Sequence, residues 1–190
     1  MAFISLSSMG ADAADLNNDG FPEVFVTDML PEADARLKTT TTYEGWQLYQ
    51  TKLRQGFYHQ FTRNTLQYNH GDGTFSEIGM IAGVAATDWS WAALIFDADL
   101  DGYKDIFVAN GIYWDVIDQD YLDYLASEET MQAMLQRERV DYLELIRRMP
   151  SHPLPNYLFH NQGNLTFSNR AQAWGLGRPG FSSGAAYGDL

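Results

Sequence analysis

The chain has 190 residues, 45% of them hydrophobic and 14% aromatic, enough to build a packed core rather than a disordered tract. A formal net charge of −13 argues against sequence-independent nucleic-acid binding, because phosphate repels such a surface, and leaves cation binding open where the acids cluster. With no cysteine, disulfides, thiol chemistry and cysteine metal sites are excluded, and no apolar run approaches the roughly 18 residues a membrane span needs.

In chain order, MAFISLSSMG has no basic n-region and only a short apolar stretch, so it does not read as a signal peptide. Either the chain is cytosolic or its true N-terminus lies upstream. An acidic loop, DLNNDGFPE (15–23), runs into EVFVTD, a β-branched and aromatic run of strand length. Residues 43–60 read as weakly helical. NTLQY is a short strand followed by the hairpin turn NHGDG, where Gly and Asn tolerate positive φ. A second acidic loop, DADLDGYKD (97–105), leads into the strand DIFVAN. Residues 118–149 carry Leu122, Leu125, Met131, Met134, Leu135, Leu143 and Ile146 at mostly helical spacing, with Ser127 as an N-cap and Pro150 and Pro153 as the stop. NYLFH and the turn NQGNL then restate the earlier strand and hairpin.

The restatement is systematic. Residues 64–84 align with 156–176 at a constant offset of 92, pairing Asn64 with Asn156, Leu66 with Leu158, Asn69 with Asn161 and Phe75 with Phe167. Residues 8–28 align with 90–110 at an offset of 82, and 182–190 begins a third, truncated copy ending at Asp189-Leu190. Repeats of this size predict stacked supersecondary units. The unit reads strand, turn, strand, link, strand, acidic loop, strand. Four-stranded units around an axis make a β-propeller. The expected fold is mainly β: a partial propeller of about two and a half blades with helical insertions at about 43–60 and 118–149. On this reading, residues 1–190 are a fragment of one propeller domain.

Numbered from its first aspartate, each loop places side-chain oxygens at positions 1, 3, 5 and 9. These are Asp15, Asn17, Asp19 and Glu23 in the first loop, and Asp97, Asp99, Asp101 and Asp105 in the second. Position 7 (Phe21, Tyr103) offers a backbone carbonyl, and Gly20 and Gly102 permit a sharp turn at position 6. Calcium takes six to eight oxygens in flexible geometry and suits this pattern, whereas magnesium demands a stricter octahedron. An EF-hand would need a bidentate Glu at position 12 and flanking helices. Position 12 here is Val26 or Val108, inside strand-like runs, so the loop is a short β-type calcium loop. Four acids in the second loop against three in the first predict tighter binding by the second.

The GDGTF-type turns, the AGV segment, WSWAA and DxDxDGxxD resemble the FG-GAP/VCBS repeat family. The nearest likeness is to bacterial ASPIC/UnbV-like, cartilage-acidic-protein-like proteins, including TDMLPE (27–32) and YHQFTRNTL (58–66). That resemblance implies blades of an integrin-α-like propeller, with the two loops as calcium ligand sets; Asp189 stands where a third would open, but the rest of its ligands are absent, so no third set is assigned. It also implies an exported, extracellular or surface-attached (outer-membrane-associated) adhesion, ligand-binding or scaffold module for a protein or glycan partner, rather than an enzyme.

GLGRPG (175–180) matches a dinucleotide-type glycine pattern, but Pro179 lies inside it and no helix pattern follows. His59, His70, His152 and His160 do not recur in register, which speaks against a histidine metal site. Asn164-Leu165-Thr166 forms a glycosylation triplet of a kind common by chance. Trp89, Trp91 and Trp174 are expected in blade cores, whereas Trp46 and Trp114 lie in the non-repeating insertions and could stack on sugars or peptides. The alternative function is the propeller portion of an enzyme whose catalytic residues lie in insertions or in another domain.

Overall fold

The computed structural model describes residues 1–135 and 142–188. Among these, ten strands form three sheets that do not close into a barrel. The first four-stranded sheet is an antiparallel meander of β2 (Ala11–Ala14), β3 (Glu23–Val26), β5 (Thr65–Asn69) and β6 (Phe75–Glu77). The second repeats it with β7 (Ser90–Phe96), β8 (Asp105–Asn110), β9 (Tyr157–Asn161) and β10 (Phe167–Asn169). A two-stranded parallel sheet pairs β1 (Phe3–Ser5) with β4 (His59–Phe61).

Register follows the sequence repeat. Phe25 pairs with Leu66 in the first sheet, and their counterparts Phe107 and Leu158 pair in the second. Phe25 and Leu66 are fully buried in a core that extends to Ala93, Ile95, Ile106, Val108, Tyr157 and Phe159 of the second sheet. The two sheets therefore pack face to face, as adjacent propeller blades do. Phe107 sits at the equivalent position on the outer face of the second sheet and is only half-buried.

Blade and sequence unit are out of phase. The unit beginning at Asn64 supplies the outer strands β5 and β6 of one sheet and the inner strands β7 and β8 of the next, so each unit ties two sheets together. The inner strands approach closely: Asp12 accepts a hydrogen bond from the Ile95 amide at 2.7 Å. A Cβ on Gly10 would stand 2.6 Å from the Trp91 carbonyl oxygen, so only glycine fits there.

The insertions differ from expectation. The first is preceded by α1 (Asp34–Thr40), not anticipated from the sequence, and contains α2 (Trp46–Arg54), but its end at His59–Gln60 is strand, held by β1. The short α3 (Gly79–Ala82) links the two sheets. The second insertion is broken rather than continuous. α4 (Gln119–Ala126) is capped by Asp118 and stops at Ser127, whose hydroxyl accepts from the Thr130 amide and opens α5 (Glu128–Leu135). α6 (Tyr142–Arg148) ends ahead of Pro150. Residues 136–141, between α5 and α6, lie outside the described residues, as does the third loop at Asp189.

The tryptophans assigned to blade cores lie outside the inter-sheet cluster. Trp89 is buried at the start of the second sheet, Trp91 is half-buried with its indole N–H on the Gly111 carbonyl, and Trp174 is 37% exposed. Among the described residues, no helix is long and apolar enough to cross a membrane.

Candidate metal centre

Both acidic loops join the two inner strands of a sheet, and their hydrogen bonds are the same position by position. The position-1 aspartate accepts from the amides of positions 5 and 6: Asp15 from Asp19 at 3.1 Å and Gly20 at 2.8 Å, Asp97 from Asp101 at 3.1 Å and Gly102 at 2.9 Å. The position-3 side chain accepts from the position-5 amide, at 3.2 Å for Asn17 and 3.3 Å for Asp99. The position-5 aspartate accepts from the position-7 amide, at 2.9 Å from Phe21 and 2.8 Å from Tyr103. These bonds require left-handed backbone at position 6, where Gly20 and Gly102 have φ of +89° and +94°.

The position-9 acid is the buried one. Glu23 and Asp105 open β3 and β8 and are both fully buried. Glu23 accepts from Leu16 and Asn69 amides, and Asp105 from Ala98 and Asn161 amides. Desolvation by burial nevertheless raises both carboxyls above their ordinary range, with those backbone donors partly opposing it. A buried carboxylate whose charge is incompletely compensated gains most from a bound cation.

In the second loop, oxygens of Asp97, Asp99 and Asp105 converge within 4.8 Å of one another, and so do ligand atoms of Asp99, Asp101 and His160. The His160 Nδ1 lies 3.2 Å from Asp105 and 3.6 Å from Asp99. His160 stands out of register in the repeat, where its counterpart is Tyr68, so the sequence pattern points away from it. What places His160 at the loop is the pairing of β9 with β8, a signal visible only once strand order is known. In the first loop the Asn17 amide donates to Asp19 at 2.8 Å, so one ligand position is taken up internally.

The two loops touch. The Asn18 side chain donates to the Gly102 carbonyl at 3.0 Å, Lys104 Nζ to the Asp15 carbonyl at 3.2 Å, and the Asn161 amide to both Leu16 at 2.8 Å and Lys104 at 3.0 Å. GLGRPG lies in irregular chain with no helix after it among the described residues.

A second polar cluster was not anticipated. Arg36 of α1 is 14% exposed and forks onto Asp88 with two 2.9 Å bonds. It also binds the buried Asp115, whose carboxylate lies 3.0 Å from His152 Nδ1. Its members are separated by 52 and 79 residues in sequence, so no local pattern announces it.

Two meanders with duplicated acidic loops, inner strands in contact and a shared inter-sheet core define propeller-type repeats. Residues 57–108 match the family of FG-GAP-like repeats. The matched segment runs from the residues just before β4 into β8. It therefore contains the second acidic loop and straddles both sheets. No curated protein matches the chain.

Proposed function

We propose that this chain is a calcium-binding β-propeller repeat module that works outside the cell or at its surface, binding a protein or glycan or serving as a scaffold, without turnover of its own. The observation that carries the reading is the duplicated loop: two sets of acids on one hydrogen-bond frame, each closed by a buried acid whose carboxyl is raised. The ligand sets are Asp15, Asn17, Asp19, Glu23 and the Phe21 carbonyl, and Asp97, Asp99, Asp101, Asp105 and the Tyr103 carbonyl. Hard oxygen donors in a flexible loop suit calcium better than magnesium. FG-GAP repeats are typical of extracellular proteins, which supports the location. The likeness of TDMLPE and its surroundings to ASPIC/UnbV-like proteins supports a surface-attached, outer-membrane-associated member of that group.

Thermal unfolding in calcium against chelator tests the metal claim. A cation at about 100 times its Kd stabilises by about 2.7 kcal/mol, so the midpoint rises in calcium. An unmoved midpoint rejects the claim. Calorimetry on Asp101→Ala and Asp19→Ala tests the ranking, with the larger loss expected for Asp101→Ala; equal losses overturn it. The enzyme alternative draws on one observation, the Asp115–His152 pair beside a cleft of about 820 Å³ between α1, α4 and α6. Turnover by the full-length protein that disappears in His152→Ala would favour it.

A further inference from the structure

We propose that the cleft between β4 and α2, together with the segment leading into α2, is a binding site for neutral saccharides. The inference rests on the reading of this chain as a ligand-binding module. It assigns that module a ligand class and a place that includes no residue of either acidic loop.

The cleft measures about 490 Å³, inside the roughly 300–1,000 Å³ range of small-molecule sites. Four rings line it: Tyr43, Trp46, Tyr49 and Phe61. The outer two are open to solvent, Tyr43 by 75% and Trp46 by 71%. The inner two are fixed. The Tyr49 hydroxyl shares a 2.5 Å hydrogen bond with His59 Nδ1, and Phe61 is stacked by Phe3 and covered by the Arg63 guanidinium. Trp46 and Tyr49 centroids stand 5.6 Å apart, and Tyr49 and Phe61 6.1 Å, giving a continuous aromatic floor. Folding does not require Trp46 and Tyr43 to be aromatic where they stand, because neither is buried. Large exposed rings beside fixed ones are the usual composition of a binding hot spot.

Charge selects the ligand. Glu44 is the one charged lining residue among those described, and Lys52 neutralises it in an ion pair. The cleft therefore offers no net charge to an ammonium, a phosphate or a carboxylate. Its remaining polar groups are the Thr41, Thr42 and Thr62 hydroxyls and the Gln60 amide. None of these four side chains makes a hydrogen bond within the described residues. Each both donates and accepts. A pyranose matches this lining: its C–H face stacks on the electron-rich face of an aromatic ring, and its hydroxyl rim donates and accepts in turn. A proline-rich peptide, the other ligand aromatic grooves take, has no N–H at proline and would leave the acceptors of the rim unused.

The test is calorimetric titration of the whole chain with cellobiose, maltose, lactose and di-N-acetylchitobiose, and separately with a proline-rich peptide. At least one disaccharide should bind with a Kd of about 1 mM or tighter. Trp46→Ala should weaken it tenfold or more, Trp46→Phe should restore part of the loss, and Trp174→Ala should change nothing. Circular dichroism of Trp46→Ala should match the parent, since the indole is exposed. Absence of binding by all four sugars, undiminished binding by Trp46→Ala, or binding of the peptide in their place would each overturn the proposal. The calcium melting curve reads the loops and not this cleft, so either result can fail alone.

Discussion

Asp105 is fully buried at the start of β8, and its ionised form is supported by two backbone amides and His160. Burial outweighs that support and raises the carboxyl. The direction fixes the sign of a pH effect. The folded, cation-free protein holds this proton more tightly than the unfolded chain, so this group's contribution to stability declines as pH rises through the raised value. A divalent cation competes with the same proton. On the proposed calcium reading, binding should therefore release protons at pH near that raised value, and apparent affinity should fall as pH drops through it. Titration in two buffers of different ionisation enthalpy measures the release; identical heats in both would contradict it. The burial is not readable from DADLDGYKD, where four carboxylates look alike. It depends on which acid the strand carries under its neighbour.

Asn161 is the clearest case at the level of elements. It ends β9, and its side-chain amide donates to Leu16 in the first loop and Lys104 in the second, while its oxygen accepts from the Gly163 amide. Three backbone groups lose a partner in Asn161→Ala, two of them carbonyls on different loops. The expected cost is about 1–3 kcal/mol, read from the urea midpoint, with a loss of calcium affinity at both loops. A loss confined to one loop would show that the bridge carries no coupling. The repeat alignment pairs Asn161 with Asn69, and Asn69 makes the equivalent bond to the Pro22 carbonyl at 3.1 Å. Half of the role is thus legible in the sequence. The contact with Leu16 is not, because it crosses from one sheet to the next.

Over the whole molecule, Arg36 joins parts of the chain that the repeat does not connect: α1, ahead of the first insertion, the entry to β7, and the segment leading into the second insertion. Burial with two aspartates makes the cluster sensitive to loss of the cation, which would strand Asp115 and Asp88 without compensation. Arg36→Ala should cost about 3–5 kcal/mol in chemical unfolding. Arg36→Lys should recover only part, since a point charge cannot replace the bidentate fork. An effect below 1 kcal/mol would place the cluster among weak surface pairs. No local pattern reveals this cluster. Insertions lack repeat partners, and ion pairs across 52 and 79 residues follow from docking rather than periodicity.

The amino-acid sequence alone determined the strands of the repeat, the hairpin turns, the acidic loops and their equivalence. Each rests on local chemistry: β-branched runs, glycine at left-handed positions and alternating carboxylates. Tertiary structure decided the rest. It moved the sheet boundary half a unit from the sequence repeat, buried one acid in each loop, brought His160 to the second loop, and gathered Tyr43, Trp46, Tyr49 and Phe61 around one cleft. These outcomes depend on which strand lies beside which and on how the insertions dock. Such contacts form between residues far apart in the chain, where spacing along the sequence carries no signal.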